Sequence, residues 1–418
     1  MKHVIVGNGV AGVTAAQAIV KADSSAEVHV FGAEPYIYYR RPLLWELVAD
    51  EVEQDGIYFQ PLEWYDERGI QLHLGTRVTG IDPVAHRITF QPGSEQDVDN
   101  SDESEVGYDR LLLATGSRSF VPSCEGTDKD GVFTLRTLDD ALAIKAYARK
   151  VSRALVIGGG LLGLETARAL RATGLDVTVV EFFSYLLPRQ LDREGAEILQ
   201  SLVASLGIKV ITGAETEAIL GKGRASAIRL RDGREIPGEM VLFSTGVRCQ
   251  VELAREAGLE VNRGIVADEH LQTSAEDIFT AGDVAEFEGT VYGIIPPAIE
   301  QARIAGSNMV HAGSATYSGT VPSTTLKVTG AEVTTLGEHS VEKGMEREAE
   351  GVLVLRNADP ERHIYRKFVL RAGKIVGMIM LNDPVRAAIA QQLIKRGIDV
   401  SKHTDRLLDE DFDLRSLL

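Results

Sequence analysis

Cysteine is nearly missing from this chain. There are two, Cys124 and Cys249, far apart and in no C-x-x-C pair. That shortage excludes a locally spaced redox disulfide, an iron–sulfur ligand set and a thiolate zinc site. It leaves two thiols to the common fate of free cysteine, inert packing. The nine histidines are scattered without H-E-x-x-H, so no metal is expected. No run of eighteen apolar residues occurs, which excludes a membrane-spanning helix of ordinary kind. Positive charge is also scarce, 44 Lys and Arg against 61 Asp and Glu, for a formal charge of −17. Binding to nucleic acid or to an anionic membrane rests on neutralising phosphates, so neither is expected. Met1-Lys2-His3 leads straight into a strand pattern, with no room for a secretory apolar region. The expected location is the cytoplasm.

Glycine, by contrast, is concentrated where it carries information. GNGVAG runs from Gly7 to Gly12 and GGGLLG from Gly158 to Gly163. Each follows a short apolar run, Val4-Ile5-Val6 or Leu155-Val156-Ile157, and each opens an Ala- and Leu-rich helical stretch. Strand, turn and helix in that order are the context a dinucleotide fingerprint needs. The first glycine (Gly7, Gly158) permits the tight turn, and the second (Gly9, Gly160) lets backbone approach a pyrophosphate. The third (Gly12, Gly163) lets the helix pack close to the strand, leaving phosphate at a helix N-terminus. Ala11 and Leu162 lie within the same turns. Two such sites mean two nucleotides, and therefore electron transfer.

An acid about twenty residues on should take ribose hydroxyls. Glu181 ends the strand pattern Val177 to Val180 at that distance from the second fingerprint. Phe182 and Phe183 follow it, and no arginine is placed to pair with a 2′-phosphate, so NADH is the expected nucleotide. For the first fingerprint the acid is Glu34, a little beyond the strand Glu27 to Phe31, and it is assigned to the adenosine ribose.

The length, 418 residues, suits two or three domains. The expected class is α/β, with two Rossmann-like domains, the second inserted in the first, and a C-terminal α+β domain. The first comprises residues 1–115 and 241–315, the inserted one 116–240 and the last 316–418. Leu111 to Gly116 and Val241 to Gly246 both end apolar runs in Thr-Gly, and Ile278 to Asp283 returns to that pattern as Ile-Phe-Thr-Ala-Gly-Asp. An interrupted order of this kind sets two nucleotide crevices facing each other. Pro92 to Gly107 is acidic and polar and is expected to be a solvated hairpin extension. After Pro322 come strand-rich segments and a helix from about Pro384 to Lys395.

At this point the chain resembles, over its whole length, the two-dinucleotide-domain flavoprotein reductases of the pyridine nucleotide–disulfide reductase superfamily. GNGVAG, LLLATGS, GGGLLGLE and FTAGDVAE match in order. YYRRPLL (Tyr38 to Leu44), TLRTLDDA (Thr134 to Ala141) and TLKVTGAEV (Thr325 to Val333) are most similar to three branches. Those are the NADH:rubredoxin reductases, the ferredoxin reductases of oxygenase systems and the flavin module of assimilatory nitrite reductases.

The resemblance implies FAD at the first fingerprint, with Arg40, Arg41, Pro42, Ala114, Thr115, Gly116, Pro297 and Ala298 around it, and NADH at the second, with Gly246 nearby. Asp283 would bond flavin ribityl hydroxyls, a carboxylate being repelled by pyrophosphate; the alternative is a turn residue before Val284. The helix after Pro296-Pro297 would aim its positive end at the flavin. Glu165 would approach the nicotinamide carboxamide, or else serves as a favourable acid near a helix N-terminus. Arg40 and Arg41 would lie near the flavin, pairing with Glu165 or the pyrophosphate, or else lie on an exposed face. Lys327 would reach the same region. The implied catalytic set is Glu165, Arg41 and Lys327.

Other branches of the superfamily carry a thiol shortly after the Glu34 region, but here Tyr36 to Trp45 has none. Flavin alone would then hold the electrons. Hydride would pass from NADH C4 to flavin N5 with no protein nucleophile or base, and electrons would leave singly to a small rubredoxin- or ferredoxin-type protein. An oxidase delivering electrons to oxygen, and a flavoprotein with a non-enzymatic assembly role, are the alternatives. Such carriers are commonly acidic, so Arg362, Arg366, Lys367 and Arg371 are candidate docking cations, against the alternative of a solvated β face. The tail from Asp405 to Leu418 docks on its own body or on a partner subunit, and a homodimer is left open.

Overall fold

A computed structural model describes residues 1–91, 104–320, 323–328, 330–339 and 351–418, with only the backbone described for Ser323–Val328. The chain divides into two compact units. The first contains Met1–Leu43, Val52–Arg118 and Val247–Thr320; the second contains Leu44–Glu51, Ser119–Gly246 and Val321–Leu418.

In the first unit five parallel strands lie in the order Ile278–Thr280, Arg110–Leu113, Lys2–Val6, Glu27–Phe31, Ile70–His73. Apart from the edge strand Ile70–His73 and the first residues of the strands, they are buried on both faces, as parallel strands covered by helices require. Ile5, Val28, Val30 and Leu112 face one core, and Val4, Val6, Leu111 and Leu113 face the other. The helix Val10–Ala22 packs against the helix Ile295–Val310. Gly306 permits that closeness, because a Cβ there would stand 2.9 Å from both the Ala15 carbonyl oxygen and the Ala18 Cβ. Arg77–Asp82, Arg87–Gln91 and Ser104–Gly107 form an antiparallel sheet. The last two strands flank the acidic segment; its residues 92–103 lie outside the described residues.

His3 is fully buried on the central strand, and among the described residues neither ring nitrogen has a hydrogen-bond partner. Burial pushes its pKa down from 6.5 to about 4. Between those values the unfolded chain binds a proton that the folded chain refuses, so stability is full above pH 6.5 and falls as the pH drops toward 4. The expected loss is about 3 kcal/mol, since each pH unit between the unfolded and folded values is worth about 1.4 kcal/mol. Urea midpoints at pH 7 and pH 4 should move apart by less in His3→Leu than in the parent.

The second unit repeats the arrangement, with parallel strands in the order Lys209–Ile211, Asp176–Val180, Arg153–Ile157, Met240–Phe243, Val132–Thr134. Here one expectation is corrected. The strand around Val241, expected in the first domain, belongs to this sheet: Leu155, Val156 and Ile157 pair with Val241, Leu242 and Phe243, and the chain re-enters the first unit only at Val247. The reason is that Leu111–Gly116 and Val241–Gly246 are copies of one device, each serving its own sheet. Leu44–Glu51, expected in the first domain, also clusters with the second unit.

The C-terminal segment forms its own antiparallel sheet of five strands, Ser323–Val328, Ala331–Gly337, Lys374–Leu381, Ile364–Arg371 and Val352–Asp359 in spatial order. The helix Pro384–Arg396 packs on it. The tail docks on this body: Leu407 and Leu414 are buried, and the Arg386 guanidinium donates to the carbonyls of Leu407 at 2.7 Å and Phe412 at 3.2 Å.

Of the four candidate docking cations, Lys367 and Arg366 are engaged inside the protein, while Arg362 and Arg371 are exposed and pair at the surface. Lys367 is 0% exposed and donates to Asp192 at 2.8 Å, and Arg366 pairs with Asp383 at 2.6 Å and with Glu410. Arg362 pairs with Glu410 and Arg371 with Glu338. The strand is buried from Ile364 to Leu370, so Arg366 and Lys367 are internal struts, while Arg371 at its end is exposed. Asp192 also caps the helix Arg193–Ser205 through Gly195 N and accepts from Tyr365. Burial opposes its charge, yet Lys367, Gly195 and Tyr365 hold its carboxyl below the usual range. Lys367→Met leaves that carboxylate without its strongest partner and should cost about 3 kcal/mol in urea denaturation, as breaking a buried pair does.

Candidate functional site

Two cradles are built from the same parts, one in each unit. In the first, the chain leaves the strand Lys2–Val6 at Gly7, whose N–H donates to Phe31 O at 2.8 Å. Its φ of +121° belongs to glycine, and a Cβ there would run into the Ala114 carbonyl oxygen. A Cβ on Gly12 would strike the Gly7 carbonyl oxygen, so the helix Val10–Ala22 lies against the turn only because that side chain is absent. At Gly9, the residue before the helix, no heavy atom of the described residues beyond its chain neighbours lies within 4 Å of where a Cβ would stand, and none of their side chains caps the helix. The second cradle matches: Gly158 at φ +113° against the Ser244 carbonyl, Gly163 against the Gly158 carbonyl, and Gly160 open and uncapped before Leu161–Ala172.

These openings are the fit test for the nucleotides. An uncapped helix N-terminus beside an open glycine can take an anionic pyrophosphate at its amides. Buried Ala11 and half-exposed Leu162 border the two openings.

Around the first cradle three segments converge. Gly282 lies so close to Ala11 that a Cβ on it would stand 2.9 Å from the Ala11 Cβ, and its N–H donates to buried Gln301 Oε1 at 3.0 Å. Asp283, half-buried, accepts from Ser117 Oγ at 2.8 Å, while Cys249 Sγ donates to its carbonyl oxygen at 3.1 Å. Thr115 and Gln250 exchange two hydrogen bonds of 2.8 Å, which fixes the Ala114-Thr115-Gly116 turn. In the second unit Thr245 donates to Phe120 O, and Phe120 N donates to the carbonyl of Gly246, which has φ +99° and open space beside it.

Glu34 is engaged by two neighbours. Tyr39 donates to one oxygen, and Arg41 Nη2 donates to the other at 2.7 Å, with Arg41 Nη1 on Tyr39 at 3.1 Å. Burial works against the Arg41 charge, but Tyr39 and Glu34, with Asp283 beyond them, hold it above its ordinary value. A carboxylate offers about four lone-pair sites, so Glu34 keeps capacity for ribose hydroxyls. Arg40 is exposed and donates to Gly56 O at 2.9 Å, and Pro42 is exposed in the turn Arg41–Leu43.

The helix expected after Pro296-Pro297 begins at Ile295. Its first turn contains two prolines without N–H, and Ala298 N is committed to Ile294 O at 3.4 Å, so fewer amides are available there than expected. Pro297 and Ala298 are buried.

In the second unit Glu181 is 5% exposed and accepts from Gly159 N with one oxygen and from Phe183 N at 2.7 Å with the other. Its charge therefore sits against the fingerprint turn. Phe182 and Phe183 are exposed and edge-on to each other. Glu165 is 4% exposed and pairs with Arg168 Nε at 3.6 Å. Lys327 lies in strand register with Glu332, and its side chain is outside the described residues. Burial first, then a nearby acid, pushes both thiols up, so neither Cys124 nor Cys249 is an activated thiolate.

Several residues escape sequence reasoning. Tyr39 stands inside YYRRPLL and Ser117 ends LLLATGS, so both are within its reach although Ser117 and its partner lie 166 residues apart; Gln250 and Gln301 leave no signal, with partners 135 and 19 residues away. Among the described residues no group of three or more His, Cys, Asp or Glu could hold a metal ion, and no helix is long and apolar enough to cross a membrane.

Known proteins share this arrangement. The chain is 34% identical over 400 residues to a nitrite reductase [NAD(P)H] of Bacillus subtilis, covering 96% of this chain and 48% of that one. It is 30% identical over 417 residues to the NADH-rubredoxin oxidoreductase of Clostridium acetobutylicum, covering 100% and 99%. The covalent putidaredoxin reductase–putidaredoxin complex contains a chain that superposes with a TM-score of 0.86 at 25% identity, covering 100% and 97%. The chain spans about half the length of the curated relatives it matches first. Residues 322–398 match the rubredoxin NAD+ reductase C-terminal domain. Residues 1–307, which contain both glycine cradles, match the pyridine nucleotide-disulphide oxidoreductase family, and on that ground the chain belongs to it.

Proposed function

We propose that this chain is an NADH-dependent flavoprotein reductase that delivers electrons to a small one-electron redox protein of the rubredoxin or ferredoxin type. The observation that carries the reading is the pair of open, uncapped helix N-termini at Gly9 and Gly160, each on the central strand of its own parallel sheet. Two dinucleotides fit two such cradles, and a protein that binds two dinucleotides passes electrons between them.

FAD, bound at the first cradle, supplies the capacity to accept a hydride and to release electrons one at a time. The first helix holds its pyrophosphate through the amides after Gly9. Asp283 accepts from flavin-side hydroxyls while Ser117 keeps its carboxylate in place, and Glu34 takes the adenosine ribose alongside Tyr39 and Arg41. In the second cradle the amides after Gly160 hold the pyrophosphate of NADH, Glu181 takes its ribose, and Glu165 orients the carboxamide of its nicotinamide. The protein supplies no nucleophile, and its two thiols are poor ones. The likeness to a reductase solved in covalent union with its redoxin, and the matching C-terminal domain, support a protein acceptor.

The test is a comparison of steady-state rates with NADH and, in turn, rubredoxin, ferredoxin and oxygen. Carrier reduction at least tenfold faster than oxygen uptake is expected. Oxygen uptake alone would make the chain an oxidase. No turnover, joined to an NADH-dependent change in self-association or partner binding, would favour the assembly role.

A further inference from the structure

We infer that Arg168 is a positioning residue for nucleotide binding, holding Glu165 in the orientation that meets the nicotinamide; this rests on the role of Glu165 in the proposed function. Both residues lie on the helix Leu161–Ala172, one turn apart, and Arg168 Nε stands 3.6 Å from Glu165 Oε2. Glu165 is almost fully buried, so its charge needs a fixed counter-charge.

Arg168 is fixed on every side that matters. Its two terminal nitrogens donate to the two carboxylate oxygens of Glu51, each at 2.8 Å, in the bidentate geometry that orients a guanidinium most strictly. Its guanidinium lies over the Trp45 ring at 4.6 Å. Both anchors belong to Leu44–Glu51, the short segment that clusters with this unit although its sequence neighbours do not. Leu44, Leu47 and Val48 bury their side chains here, and Lys145 pairs with Asp50 at 2.5 Å, so the segment is itself held firmly. With both Nη atoms anchored on Glu51 and one face on Trp45, the guanidinium is held with its Nε edge 3.6 Å from Glu165 Oε2, as an ion pair. A lysine could supply the charge but not the fork.

The experiment is calorimetric titration of the oxidised, FAD-loaded protein with NAD+, in the parent, Glu165→Gln, Arg168→Gln, the double variant and Arg168→Lys, with thermal midpoints recorded for each. Arg168→Gln should weaken NAD+ binding roughly tenfold, the low end of what losing a close charge pair costs. Glu165→Gln should weaken it by a similar factor, and the double variant by no more than either single one, because both changes remove the same contact. Arg168→Lys should recover part of the loss. Additive losses in the double variant, or unchanged affinity in Arg168→Gln, would overturn the inference while leaving Glu165 in its role. Unchanged affinity in Glu165→Gln would instead overturn the assignment of Glu165, and the inference with it. Should Arg168→Gln fail to fold, Glu51→Gln loosens the guanidinium without removing it, and the same tenfold loss is expected.

Discussion

Gly12→Ala should purify almost colourless, while Gly163→Ala should stay yellow and lose its response to NADH. The two substitutions add one methyl group at equivalent places in the two cradles. In each the new carbon would collide with the carbonyl oxygen of the first fingerprint glycine, Gly7 or Gly158. Backbone cannot yield as a flexible side chain does, so the helix must move away from its strand, and overpacking of this kind costs about 1–3 kcal/mol or more. The amides proposed to hold the pyrophosphate move with it. A tenfold fall in affinity corresponds to about 1.4 kcal/mol, so at least that loss is expected for the nucleotide of the altered cradle. The ratio of flavin absorbance to protein absorbance reads the first variant, and an NADH titration of the flavin spectrum reads the second. Equal flavin content in both, with equal NADH response, would mean that the cradles do not hold these nucleotides.

Glu181→Gln should erode the preference for NADH over NADPH, mostly by weakening NADH. The buried carboxylate is held against the fingerprint turn by two backbone donors. On the proposed reading it accepts from ribose hydroxyls and repels a 2′-phosphate. Gln keeps the shape and removes the charge. Losing a hydrogen bond to a charged group costs about 1.5–3 kcal/mol, which corresponds to about ten- to a hundredfold in kcat/KM for NADH. The NADPH value should stay level or rise, since no arginine follows at Phe182 or Phe183 to reward the phosphate. Parallel losses with both nucleotides would show that Glu181 only braces the turn.

The parts of the molecule that can be read from sequence are those whose physics is local. The fingerprints are legible because six residues contain the turn, the close approach and the helix start, and each glycine answers to a neighbour in the same segment or in the adjacent strand. Strand and helix alternation is legible for the same reason. Allotting strands to sheets is not: Leu111–Gly116 and Val241–Gly246 are near copies, and only pairing partners, Ile5 with Leu112 or Val156 with Leu242, tell them apart. The charges of Ile364–Arg371 mislead because a strand with Arg366 and Lys367 side by side looks half-solvated. Asp192 and Asp383, far away in sequence or beyond a turn, let both be buried. Around the flavin cradle, Glu34 and Asp283 stand out as acids, but the contacts of Tyr39, Arg41 and Ser117 with them follow from the fold, which sets these groups at hydrogen-bonding distance.

The most direct test of this electron path is rapid anaerobic mixing of the FAD-loaded protein with NADH while the visible absorbance of the flavin is followed. Complete bleaching by one equivalent of NADH is expected, with a much slower response to NADPH, and the oxidised spectrum should return when an oxidised rubredoxin or ferredoxin is added. A flavin that stays oxidised in excess NADH would contradict the path, because the second cradle would then hold no electron donor for the first.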